Sequence, residues 1–144
     1  MLTSVVVIVL MATVAMFVMN LSGKIVKSTV IQYQHEQAEL YAKSYTEYAI
    51  LAVTGNDRSN KCLRTIKGTI GILNKGGYRI RTHISYIGPA SEIQQCAANR
   101  KLSTNVVTPD TPLTIIVDAY VDYKDPDNTS GPILTVHRRT TQKI

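Results

Sequence analysis

The first 23 residues, Met1 to Gly23, carry no charged side chain, and a polar, basic remainder begins at Lys24. The run MLTSVVVIVLMATVAMFVMNLSG is dominated by Val, Ile, Leu, Met and Ala. About 20 helical residues, rising about 1.5 Å each, cross a hydrocarbon layer about 30 Å thick. A helix apolar on every side needs cover on every side, and a domain this small offers too little mass to wrap one as a core helix. The chain is therefore expected to start in a membrane or in an apolar bundle that mimics one. No Lys or Arg precedes the run, no A-x-A-like site follows it, and it is longer than a signal-peptide core, so retention is expected over cleavage.

With 144 residues there is room for one modest domain beside this segment. All 16 Lys and Arg lie at or beyond Lys24, against 10 Asp and Glu, which leaves +6 on the polar part. Such a surplus suits polyanions or acidic membrane surfaces, although a solvated surface with a basic bias is the plainer account. Lys24 and Lys27 flank the apolar run, and by charge alone they would keep the domain cytoplasmic. Cys62 and Cys96 enclose a loop-rich segment; they would pair in an oxidising compartment and stay thiols in a reducing one.

Helical patterning continues past Gly23. From Lys24 to Val53 there is neither proline nor further glycine. Ala38, Ala42, Tyr45, Ala49 and Ala52 follow a heptad-like rhythm that marks one helix face, flanked by Tyr41 and Tyr48. The spacing predicts one nearly continuous helix over about 2–53, apolar in its first half and amphipathic in its second. Its weakest point is expected at Asn20, Ser22 and Gly23, and its end at Thr54–Asp57, with Gly55 suited to a left-handed cap.

The remainder reads as β. In Tyr78–Ile87 the residues Tyr78, Ile80, Thr82, Ile84 and Tyr86 alternate with Arg79, Arg81, His83 and Ser85. In Leu113–Tyr123 the apolar positions Leu113, Ile115, Val117, Ala119 and Val121 alternate with outward Asp118, Tyr120 and Asp122. Ile133–Gln142 is a third strand, joined to the second through the turn-rich Asp125–Pro132, so the two should form a hairpin. Arg79 and Arg81 are placed to face Asp118 and Asp122 across the wet side of the sheet. Cys62–Leu73 fits a short helix or an edge strand, and Ser91–Pro112 a long irregular loop. The expected fold is α+β: a long N-terminal helix packed on a small antiparallel sheet of three to four strands. It divides as 1–23 (membrane or filament-core half of the helix), 24–54 (amphipathic half) and 55–144 (the β domain on the 38–52 face).

Motifs of chemistry are missing from this pattern. His35, His83 and His137 share no metal-ligand spacing, and there is no nucleophile elbow, phosphate-cradling glycine loop or C-x-x-C. No catalytic, cofactor or metal site, no small-molecule substrate and no enzymatic activity are expected.

A long helix that is apolar and then amphipathic, followed by a small antiparallel sheet, resembles the type IV pilin superfamily, which includes the pseudopilins of type II secretion. The passage MLTSVVVIVLMATVAMFVMNLSGKIVK is similar in tone to the assembly helix of that superfamily. Its members begin with a short basic leader cleaved before a methylated Phe, and carry a Glu four residues later. Here no such leader or Phe stands ahead of the run, and superposing the apolar stretches puts Thr3 or Ser4 at the Glu position. The resemblance implies a processed chain or a divergent member, and specifically a minor tip subunit, because a tip subunit has no preceding amine for that carboxylate to neutralise.

The resemblance also implies an inner-membrane anchor with the domain facing the periplasm or exterior, where Cys62 and Cys96 would be oxidised. Val5, Ile8, Leu10, Val14, Phe17 and Leu21 would carry membrane insertion and then helix packing with other pilin-like subunits. The alternatives are a single-pass anchored periplasmic binding or scaffolding domain, or a minor pilin that binds DNA through Arg79, Arg81, Arg138 and Arg139.

Overall fold

The computed structural model describes residues 2–58, 60–106 and 113–144. Helix α1 spans Leu2–Thr54, followed by β1 (Thr65–Ile70), β2 (Tyr78–Ile87), a short helix α2 (Ala90–Ile93), β3 (Lys101–Ser103), β4 (Thr114–Tyr123) and β5 (Leu134–Lys143). The chain resolves into two compact units, Met1–Glu36 and Gln37–Ile144, so the second unit starts inside the helix rather than at either sequence boundary of 23 or 54.

In the first unit α1 runs unbroken through Asn20, Ser22 and Gly23, without the expected weak point. Its side chains from Thr3 to Val30 are exposed throughout. Two hydroxyls are satisfied within the helix: Thr13 donates to the Leu10 carbonyl at 2.8 Å and Thr29 to the Ile25 carbonyl at 2.9 Å. Such back-bonding lets a threonine sit in apolar surroundings without a stranded donor.

The second unit is α+β, with the helix packed on an antiparallel sheet ordered β1-β2-β4-β5, and β3 added to β2 in parallel. The buried helix positions are Ala38, Ala42, Thr46, Ala49 and Val53. Tyr45 and Ala52, expected on that face, are half-buried at its flank, and Thr46 and Val53 take the central places. A rhythm of 3.5 residues drifts off a helix of 3.6 within two heptads. Thr46 qualifies as a core residue because its hydroxyl donates to the Ala42 carbonyl at 2.7 Å. The small side chains let the sheet approach, and the sheet answers with Ile80, Ile84, Ile115, Val117 and Val121, all fully buried.

One open reading is decided and two are corrected. Of the two alternatives for Cys62–Leu73 the edge strand holds, over Thr65–Ile70 (β1), which pairs with β2 from Thr65–His83 to Ile70–Tyr78. Within it Gly68 lies directly under the Tyr45 ring, where a Cβ would collide with the phenol. Gly55 is not left-handed: the helix closes with the Gly55 N–H on the Leu51 carbonyl (3.0 Å) and the Asn56 N–H on the Val53 carbonyl (3.3 Å), and the left-handed glycines are Gly71 and Gly76 in the β1–β2 turn. The expected irregular loop 91–112 contains α2, a 3-10 turn at Ala98–Arg100 and β3, while 107–112 lies outside the described residues.

One inward position is polar without need. Thr82 is fully buried between Ile80 and Ile84 on β2, and its hydroxyl has no partner among the described residues. A desolvated, unbonded hydroxyl is unfavourable, so Thr82→Val should stabilise the fold by about 1 kcal/mol, read from the urea midpoint.

Candidate functional site

Two surfaces stand out: the uncovered apolar helix and the outer, polar face of the sheet. Val5, Ile8, Leu10, Val14, Phe17 and Leu21 are all exposed; Leu10, Val14, Phe17 and Leu21 share one side of the helix, and the equally exposed Val6, Val7, Val9, Met11, Met16, Val18 and Met19 carry the apolar surface around the rest of its circumference. The segment offers no single stripe for one partner; it suits a solvent, or a bundle, that is apolar on all sides. Helix α1 is long and apolar enough to cross a membrane. Thr3 and Ser4 lie in its first turn, where no acidic side chain stands among the described residues.

The outer face of the sheet is organised around two aspartates of β4. Asp122, expected to point into solvent, is only 1% exposed. Arg79 donates to its Oδ2 through Nε (3.0 Å) and Nη2 (2.8 Å), Arg81 donates to both oxygens at 2.9 and 3.2 Å, and the Thr135 hydroxyl donates to Oδ1 at 2.8 Å. Burial opposes the Asp122 charge, yet the hydrogen bonds from Arg79 and Thr135 and the nearby Arg81 hold its pKa below the ordinary 3.8.

Asp118 does not meet Arg79 or Arg81. It accepts from Arg139 Nε at 2.7 Å and Nη2 at 3.1 Å, and lies 2.9 Å from His137 Nε2. Burial works against this carboxylate too, and Arg139 and His137 hold its pKa low.

Between them, Tyr120 stacks on His137 with ring centres 4.4 Å apart and meets His83 edge-on at 5.8 Å. His83 Nδ1 lies 2.9 Å from Arg100 Nη2. A guanidinium only donates, so Nδ1 must be an unprotonated acceptor and the neutral ring carries its proton on Nε2. Burial, then Arg100, Arg81 and Lys67, hold the His83 pKa below 6.5, with Asp118 pulling weakly the other way.

These shifts act in one direction as pH falls. An unfolded His83 takes up a proton near 6.5 and the folded one resists it, so stability drops as pH falls below 6.5. Asp118 and Asp122 stabilise fully above 3.8, and that contribution is lost as pH falls through their lower folded values. Urea midpoints should therefore decline in two stages on acidification, and His83→Gln should remove the first.

The four arginines expected to meet a polyanion do not form one patch. Arg79, Arg81 and Arg139 are committed to Asp122 and Asp118 on the outer face. Arg138 is paired with inward-facing Ala119 and so belongs to the helix-side row of β5. Cys62 and Cys96 form a disulfide and are buried with Ala49, Val53, Tyr86 and Ile93. Tyr86, at the centre of that cluster, donates its hydroxyl to the Leu63 carbonyl at 2.7 Å, and burial pushes its pKa up to about 12. Sequence reasoning missed the roles of Thr135, Arg100 and Tyr120, which only the strand register and the return of the 98–101 segment bring to the site.

No family model, no curated protein and no solved structure matches this chain. Among the described residues no group of His, Cys, Asp or Glu is arranged to hold a metal ion.

Proposed function

We propose that the chain is a pilin-like structural subunit of a type II secretion or type IV pilus machine. In this reading it is anchored in the inner membrane by Val5–Leu21, presents its disulfide-bonded domain to the periplasm, and assembles by packing that helix against the helices of other subunits. The observation that carries the reading is the apolar surface of α1 between Val5 and Leu21, exposed on every side. Water is not a solvent for it: each Å² of apolar surface left wet costs about 25 cal/mol. Lipid covers it before extraction, and neighbouring helices cover it afterwards. Thr3 and Ser4 in place of a carboxylate fit a subunit at the tip, with nothing above it to pair.

The experiment is Val14→Asp. A carboxylate at the centre of the span costs about 3 kcal/mol to insert. The variant should lose both retention in alkali-washed membranes and co-isolation with the assembled machine. Unchanged retention and assembly would contradict the proposal. The DNA-binding alternative gains little, because three of its four arginines already have carboxylate partners.

A further inference from the structure

A polar recess of about 430 Å³ opens in the second unit, where the chain leaves the helix and enters β1, and Asn56, Lys61, Arg64, Thr65, Asn99 and Arg100 line it. Three of these side chains are cationic, and no Asp or Glu stands with them among the described residues. The acids of the flanking segments are engaged elsewhere. Asp57 accepts from Asn60 Nδ2 at 3.0 Å, Glu92 pairs with Arg58 at 3.7 Å, and both border a neighbouring recess. The walls are pinned on each side. Asn56 donates through Nδ2 to the Lys61 carbonyl at 2.7 Å, which closes the loop after the helix. The Arg64 carbonyl accepts from the Ile84 N–H at 3.0 Å, and Arg100 Nη2 lies 2.9 Å from His83 Nδ1. The Cys62–Cys96 bond ties the segment of Lys61 and Arg64 to the segment of Asn99 and Arg100.

These anchors hold the cations near one another without neutralising them. His83 accepts from Arg100 as a neutral ring, so the guanidinium keeps its whole charge. Lys61, Arg64 and Arg100 have no carboxylate within ion-pair distance among the described residues, whereas Arg58, Arg79, Arg81 and Arg139 all do. Like charges around one concavity repel each other and concentrate a positive potential in it, and a bound anion relieves the repulsion. The volume is that of a small-ligand site. A phosphate monoester carries about −1.5 to −2 charges at pH 7 and three strong acceptor oxygens. The two guanidinium forks, the Lys61 ammonium and the amide of Asn99 supply donors of matching number, which a singly charged carboxylate would leave partly unused. We infer that this recess binds the phosphate monoester group of a small molecule or of a lipid headgroup. The inference is independent of what covers the apolar half of α1.

The test uses the full chain in non-ionic detergent micelles at constant ionic strength. Glycerol phosphate should bind saturably by calorimetry and shift the side-chain NMR signals of Arg64, Asn99 and Arg100, while glycerol and acetate at the same concentration should do neither. Phosphatidic acid mixed into the micelles identifies the source: displacement of glycerol phosphate assigns the site to a lipid headgroup, and no displacement assigns it to a soluble ester. Lys61 and Arg64 are exposed, so Lys61→Gln and Arg64→Gln should leave the thermal transition unchanged. Each should weaken binding about tenfold, the equivalent of one charge-assisted hydrogen bond. Arg138→Gln removes the same charge from β5 and should leave binding as it was. Acetate binding as tightly as glycerol phosphate, an equal loss in Arg138→Gln, or no shift at Arg64, Asn99 and Arg100 with millimolar ester would overturn the inference.

Discussion

Replacing Cys62 and Cys96 together by serine is expected to lower the stability of the folded domain by about 3–4 kcal/mol. The bond closes a loop with a sequence separation of 34 residues, and chain entropy lost from the unfolded state grows with the logarithm of that length. The location adds to the effect. Both half-cystines are buried against Ala49, Val53, Tyr86 and Ile93, so the bond joins the segment after the helix to the segment carrying α2 and β3. These segments have few other ties: β3 meets β2 at only two register positions, Tyr86–Lys101 and Ile87–Ser103. Loss of the bond should therefore show twice, as a lower urea midpoint and as faster hydrogen exchange over residues 90–103. The β2–β4 ladder, paired from Arg79–Asp122 to Ile87–Thr114, should keep its protection until the global transition.

Asp122→Ala should cost about 2–3 kcal/mol. Removing one partner of a buried ion pair typically costs about 3–5 kcal/mol, because the remaining charge is left unpaired in a poor solvent. Here the remaining charges are the side chains of Arg79 and Arg81, 46% and 43% exposed, so water relieves part of the penalty. The Thr135 hydroxyl would also lose its acceptor, loosening the β4–β5 pairing at that end. Arg79→Ala or Arg81→Ala should each cost less, since the other guanidinium still neutralises the carboxylate. Urea denaturation at neutral pH separates the three variants.

The strongest signals in the sequence were those with a sustained period. β2 and β4 alternate over ten residues, and the structure buries the residues that the alternation assigns to the core. The extent of α1 was legible for the same reason, since nothing between Lys24 and Val53 breaks a helix. A heptad count puts Tyr45 and Ala52 on the buried stripe because it slips against the true helical repeat, and it passes over Thr46, which looks polar until its own helix satisfies it. β1 was ambiguous because Gly68 and Gly71 interrupt any pattern; Gly68 is there for the Tyr45 ring, a contact that no local signal encodes. Alternation placed Asp122 on the wet face correctly, yet could not show that two arginine stems bury it. The pairing of Asp118 with Arg139 instead of Arg81 depends on the β4–β5 register, which the turn at 125–132 leaves open.

The central claim is that the apolar surface of α1 is covered by other helices in the working state. Site-specific photocrosslinking tests it most directly, with benzoylphenylalanine placed at Val14 or Phe17 in cells that assemble the machine. The account predicts adducts to the N-terminal helices of partner subunits, lost when assembly is blocked and replaced by lipid adducts. Lipid adducts alone under assembling conditions, or no membrane association at all, would contradict it.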